Sequence, residues 1–134
     1  MARVLVVDDS RTVRELHRRA LEEAGFEVAV ARDGLDALMQ LANDGSIDLV
    51  VTDIEMGDID GLMLTAAIRT RESRAALPVV VVTSDEQETV RKRAIAAGAD
   101  AYIVKRGFTW SLLVRTVERL LGGTSLAPDL SLAV

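Results

Sequence analysis

The chain is predicted to fold as an α/β protein, a doubly wound five-stranded parallel sheet with five helices. Three observations predict it. Short apolar runs alternate five times with longer segments of helical periodicity, as in repeated strand–helix units joined by short turns. One of those runs, Val79-Val80-Val81-Val82, is apolar at every position, as expected of a strand covered on both faces. Four of the runs end in polar residues: Asp8 and Asp9, Asp53, Thr83, and Lys105.

Each element can be justified in turn. Arg3 to Val7 is a strand that stops at Asp8-Asp9, and Ser10 then caps a helix. In that helix Val13, Leu16, Ala20 and Ala24 recur at helical spacing, and Gly25 stands where a left-handed residue ends it. His17 lies beside this stripe and is expected at the surface or boundary. Phe26 to Ala31 is the second strand. Asp33-Gly34 opens a helix whose apolar face reads Leu35, Leu38, Leu41 and Ala42, ending near Asn43 or Gly45.

The third strand, Asp48 to Thr52, delivers Asp53 to a loop containing Gly57 and Gly61. Leu62 to Thr70 is helical, and Pro78 favours an extended residue before it and introduces the fourth strand. A helix from about Glu86 to Ala97 carries Val90, Ala94 and Ala97 on one face and stops at Gly98. Asp100 to Val104 is the fifth strand. The last helix shows the stripe Trp110, Leu113, Val114, Val117, Leu120 and Leu121, ended by Gly122-Gly123. Residues 1–121 are therefore assigned to one domain, and 122–134, with Pro128 and no periodicity, to a tail or linker stub.

Composition narrows the function. At 134 residues the chain is the size of one domain, 49% hydrophobic but only 3% aromatic, so its core is aliphatic. The formal net charge of −5 and the lack of a basic run longer than Arg91-Lys92-Arg93 argue against nucleic-acid binding. No stretch is long enough to span a bilayer and no signal-peptide pattern opens the chain, so a cytoplasmic location is expected. With no cysteine and a single histidine, thiolate chemistry and histidine-based metal clusters are excluded.

The chemistry lies at the strand ends. In doubly wound sheets ligands bind outside the carboxyl ends of the strands, which is where Asp8, Asp9, Asp53, Thr83 and Lys105 fall. Taken singly, Asp8-Asp9 and Thr83 read as helix caps and Lys105 as a solvated loop lysine; together with Asp53 they read as one cluster. Three neighbouring carboxylates repel one another and need a cation. Lys105 supplies one charge, and a divalent ion taking oxygen ligands, Mg²⁺ or Mn²⁺, would supply the rest. The constellation suits phosphoryl transfer with the Asp53 carboxylate as nucleophile.

Five segments, in order, carry a resemblance: Val6-Val7-Asp8-Asp9-Ser10; Asp53-Ile54-Glu55-Met56 with Asp60-Gly61; Val82-Thr83-Ser84; Ala97-Gly98-Ala99-Asp100; and Ala101-Tyr102-Ile103-Val104-Lys105. Across residues 3–121 the chain resembles the receiver domain of two-component response regulators. The resemblance implies a flavodoxin-like fold with strand order 2-1-3-4-5, an order for which a chemotaxis receiver is already a standard example. It implies that Asp53 accepts a phosphoryl group from a phosphohistidine of a histidine kinase or its phosphotransfer domain. Asp9 and Asp53, with the Glu55 backbone carbonyl, would ligate Mg²⁺, and Asp8 would assist through water. Thr83 and Lys105 would bind phosphoryl oxygens, and Thr83 moving toward the phosphate would draw Tyr102 inward as a switch. Glu55 and Asp85, each two residues past an active-site residue, are expected to tune the lifetime of the phosphorylated form.

Two positions depart from the family pattern, Gly57 and Arg106, where proline is common, and the second bears on the placement of Lys105. The run Lys105-Arg106-Gly107-Phe108 resembles receivers fused to the C-terminus of chemotaxis-type histidine kinases, although a free-standing regulator is equally compatible. Output would then pass either through a switched surface on the fourth helix, fifth strand and fifth helix, or through use as a phosphate sink; the oligomeric state stays open. Two other classes fit the residues less well. A haloacid-dehalogenase-type phosphohydrolase would need a second aspartate two residues after the first-strand nucleophile, which Asp8-Asp9-Ser10 does not supply. A non-phosphorylated docking or dimerisation module would not require the full set of reactive side chains present here.

Overall fold

A computed structural model of the protein describes residues 1–122. The elements alternate as the apolar pattern requires: β1 (Arg3–Val7), α1 (Arg11–Glu23), β2 (Glu27–Ala31), α2 (Gly34–Asn43), β3 (Leu49–Thr52), α3 (Gly61–Thr70), β4 (Val79–Thr83), α4 (Glu88–Ala97), β5 (Ala101–Val104) and α5 (Trp110–Leu120), with a 3₁₀ turn at Glu72–Arg74. All strand pairs are parallel and the sheet order is β2-β1-β3-β4-β5. The greater part of the tail expected at 122–134 lies outside the described residues.

Strand periodicity divides the core in two. Leu5, Val7, Val50, Val79, Val81 and Tyr102 pack with Ala37 and Leu41 of α2, Leu64 and Ile68 of α3 and Ala94 of α4. Their neighbours Val4, Val6, Leu49, Val51, Val80, Val82 and Ile103 pack with Leu21 of α1 and Leu113 and Val117 of α5. Successive strand residues thus face opposite helical layers, as a two-residue period dictates. The helix starts are held by side-chain caps, of which Ser10 was legible in the sequence: Ser10 accepts from the Val13 amide, Asp33 from Asp36, Asp60 from Met63 and Thr109 from Leu112.

Three expectations about helix faces need correction. In α1 the buried residues are His17, 5% exposed, and Leu21, whereas Leu16 is 44% exposed and Ala24 is exposed. The helix meets its neighbours along the four-residue spacing Val13-His17-Leu21, so His17 is not at the surface. In α2 Leu35 is 59% exposed while Gly34, Ala37 and Leu41 are buried. Gly34 backs onto Ile59, and a Cβ there would lie 2.5 Å from the Ile59 side chain, so the helix approaches the core at Gly34 and turns Leu35 outward. In α5 Trp110, placed on the apolar stripe, is 41% exposed. The α4 helix begins at Glu88 because the Asp85 carboxylate accepts from the Gln87 amide at 2.9 Å and holds residues 85–87 in a turn.

Candidate functional site

The candidate site residues are positioned by hydrogen bonds that continue the strand ladder past its ends. The Asp8 amide donates to the Ala31 carbonyl (3.2 Å), the Asp53 amide to Val7 (3.1 Å) and the Lys105 amide to Thr83 (2.7 Å). One side chain after each of β1, β3 and β5 is thereby fixed at the carboxyl edge of the sheet. The loop after Asp53 is drawn close by Gly61, whose amide donates to the Ile54 carbonyl at 2.8 Å. Met56 is buried beneath that loop.

Asp8, Asp9 and Asp53 each place a carboxylate oxygen within 4.8 Å of the others. The ammonium of Lys105 lies 3.3 Å from Asp53 Oδ2 and 3.9 Å from Asp8 Oδ2. Asp53 Oδ1 accepts from the Ile54 amide at 2.7 Å. Asp8 is 2% exposed; its Oδ1 accepts from the Ser10 amide at 2.9 Å, while Oδ2 has no hydrogen-bond donor. The Arg14 guanidinium donates to the Asp8 backbone carbonyl at 2.7 Å and so pins the turn without neutralising the carboxylate. Burial above all, with repulsion from Asp53, pushes the Asp8 carboxyl above the usual carboxylate range against the Ser10 amide and Lys105.

This donor set has the character of a site for a hard divalent cation. Three carboxylates meet one ammonium, a buried oxygen lacks a donor, and all the ligand atoms in the cluster are oxygens. The residues fit Mg²⁺ or Mn²⁺.

Beside the acidic cluster, Thr83 and Tyr102 are joined through Asp85. The buried Thr83 hydroxyl accepts from the Asp85 amide at 3.2 Å, and the Tyr102 hydroxyl donates to the Asp85 carbonyl at 2.8 Å. Tyr102 is 2% exposed and already lies inward. Desolvation raises its phenolic pKa, with the Asp85 charge adding to the effect. Glu55 is exposed in the loop after Asp53, so of the two acids proposed to tune lifetime only Asp85 is tied into the Thr83–Tyr102 chain.

The two departures from proline have local accounts. Gly57 has φ +67°, a conformation closed to proline. Arg106 is exposed and pairs with Glu86 at 3.7 Å, while Lys105 still faces Asp53.

The family model of the response regulator receiver domain matches residues 4–117. The chain belongs to this family. Among curated relatives, the receiver is 39% identical over 127 residues to the response regulator MprA of Mycobacterium ulcerans, covering 95% of this chain and 53% of that one. Among solved structures it superposes on the chemotaxis protein CheY4 of Vibrio cholerae with a TM-score of 0.83, 30% identity and coverage of 90% and 98%. It also superposes on the signal receiver domain of a signal transduction histidine kinase from Syntrophus aciditrophicus with a TM-score of 0.85, 28% identity and full coverage of both chains. The receiver spans about half, or less, of the length of the first curated relatives.

These matches make the protein a receiver domain of two-component signalling, and they do not favour the hydrolase or docking-module alternatives. Among the described residues no helix is long and apolar enough to cross a membrane. The structure brings Asp8, Asp9, Asp53 and Lys105 together, as their strand-end positions in the sequence imply. The bridging role of the Asp85 backbone is encoded in no side-chain pattern, whereas the burial of His17 had a signal in the spacing Val13-His17-Leu21.

Proposed function

We propose that this receiver accepts a phosphoryl group on Asp53 from the phosphohistidine of a histidine kinase or its phosphotransfer domain, and that its own side chains promote the transfer. The observation carrying this reading is the Lys105 ammonium 3.3 Å from Asp53 Oδ2 at the edge of a three-carboxylate cluster. An Asp53 oxygen attacks phosphorus, the P–N bond to the donor imidazole breaks, and the departing nitrogen keeps the electron pair, leaving an acyl phosphate on Asp53. Lys105 pairs with a phosphoryl oxygen, and the Thr83 hydroxyl turns from accepting the Asp85 amide to donating to another.

Asp9, Asp53 and the Glu55 carbonyl, with Asp8 through water, would hold Mg²⁺ or Mn²⁺, which neutralises charge on the transferring group. Because the Asp85 backbone joins Thr83 to Tyr102, movement of the Thr83 hydroxyl shifts the turn that Tyr102 holds, and the α4-β5-α5 face changes with it. Asp85, and Glu55 at the loop entrance, set how readily water reaches the acyl phosphate. Output passes through that face or through service as a phosphate sink in a kinase-fused chain. The likeness to a kinase-borne receiver and the run Lys105-Arg106-Gly107-Phe108 support the fused form, and the likeness to a chemotaxis protein supports chemotaxis-type signalling.

The test is intact mass after incubation with acetyl phosphate and Mg²⁺. A single phosphoryl adduct on the native chain and none on Asp53→Asn is expected. Equal labelling of both, or none on a folded native chain that binds Mg²⁺, overturns the reading.

A further inference from the structure

The single histidine, the single tryptophan and one of the two phenylalanines of the chain meet in one place. The His17 ring centroid lies 5.7 Å from that of Phe108 and 5.6 Å from that of Trp110, and Phe108 and Trp110 stand 5.0 Å apart, edge to face. In a chain with so few aromatics, a three-ring contact concentrates much of the ring packing at one junction. That junction joins α1 to the loop between β5 and α5.

The loop in question carries Lys105. Its entry is held by the Lys105 amide on the Thr83 carbonyl, and its turn is closed by the Phe108 amide on the Lys105 carbonyl at 3.0 Å. Gly107, at φ +80°, lets the chain reverse so tightly. Phe108 fastens the lysine loop to the core formed by the strands, α1 and α5, and His17 is the α1 ring that meets it there. At its other end α1 follows directly from Asp8, Asp9 and the capping Ser10. The ring cluster thus ties the segment carrying the acids to the segment carrying the ammonium.

We propose that His17 is a positioning residue for phosphoryl transfer: its ring, packed on Phe108 and Trp110, holds the Lys105 loop so that the ammonium stands over Asp53 and Asp8. This deepens the phosphoacceptor reading of Asp53 and rests on it. Burial, and then the charge of Lys105, hold the His17 imidazole down to about 4, and no carboxylate contributes. The ring is neutral near pH 7, which suits both its packing and its closeness to the lysine. No hydrogen bond of the His17 side chain is needed in this role; the shape and apolar faces of the ring perform it, so phenylalanine can replace it.

The experiment measures the rate of Asp53 phosphorylation by saturating acetyl phosphate in Mg²⁺, together with Mg²⁺ affinity by calorimetry, in the native chain, His17→Ala, His17→Phe, Lys105→Ala and His17→Ala/Lys105→Ala. We expect His17→Ala to be slower by about tenfold, since small misplacements of a reacting group cost that much or more. Its Mg²⁺ affinity is expected to be unchanged and His17→Phe to restore the rate. In the double variant the loss should equal that of Lys105→Ala alone, because a positioning residue has nothing left to position. Should His17→Ala not fold, Phe108→Leu carries the same cycle. Losses that multiply, or a His17→Phe chain as slow as His17→Ala, overturn this inference alone. A folded native chain that takes no phosphoryl group overturns the phosphoacceptor reading and this inference with it.

Discussion

Gly61 stands so close to Asp53 that a Cβ built on it would lie 2.0 Å from the Asp53 carbonyl oxygen. The first residue of α3 and the residue that follows β3 are therefore in backbone contact, and the Gly61 amide bonds the neighbouring Ile54 carbonyl. Because the obstacle is backbone, a flexible side chain cannot move aside to relieve it.

Gly61→Ala is accordingly expected to displace Asp53 or open the loop. A cost of about 3 kcal/mol or more follows from overpacking against a fixed backbone. Urea denaturation gives the stability, and acetyl phosphate labelling gives the site. A variant as stable and as readily labelled as the native chain would show that the loop is free to shift.

Asp8 is a buried carboxylate with one oxygen lacking a donor and with Asp53 pushing against it. Neutralising it removes the buried charge and the repulsion from Asp53 in the metal-free fold. Asp8→Asn is expected to stabilise the metal-free protein by about 1 kcal/mol, the scale of a poorly compensated buried polar group. It should also lose the rise in Tm that Mg²⁺ gives the native chain, because a cation that binds only the folded state stabilises it in proportion to occupancy. Thermal melts with and without Mg²⁺ test both parts; an undiminished Mg²⁺ shift in Asp8→Asn excludes Asp8 from the cation site.

Tyr102→Phe removes the donor to the Asp85 carbonyl and leaves the packing of the ring. A loss of about 1 kcal/mol is expected from one hydrogen bond. Labelling at Asp53 should persist, since Tyr102 lies beyond Thr83 from the acidic cluster. Loss of labelling would place Tyr102 in the chemistry and not in its readout.

The fold was legible because its signals repeat. Apolar runs such as Val79 to Val82, with polar residues at their ends, specify buried parallel strands, and the same ends place Asp8, Asp53, Thr83 and Lys105 on one edge. Helix faces were harder to read. The α1 helix offers more than one plausible stripe, and only the neighbouring β2 and α5 decide that Val13-His17-Leu21 turns inward and Leu16 outward. Contacts made by backbone, Gly61 on Asp53 or Asp85 between Thr83 and Tyr102, depend on loops meeting in space and leave no trace in residue spacing.

The burial of His17 makes a pH dependence calculable. Folding lowers its pKa from 6.5 to about 4, foremost by desolvation and then by Lys105, so the unfolded chain takes up a proton first as pH falls. The stability due to neutral His17 is thus fully present above about pH 6.5 and is lost progressively toward pH 4. Between pH 7.5 and 4.5 the loss amounts to about 2.5 kcal/mol by proton linkage. Carboxylates also titrate in this range, so the quantity to measure is the difference between native and His17→Phe in urea at each pH. That difference should shift in favour of the variant by about 2.5 kcal/mol across the range. Parallel pH curves would mean that the imidazole takes up its proton as readily in the folded chain as in the unfolded one.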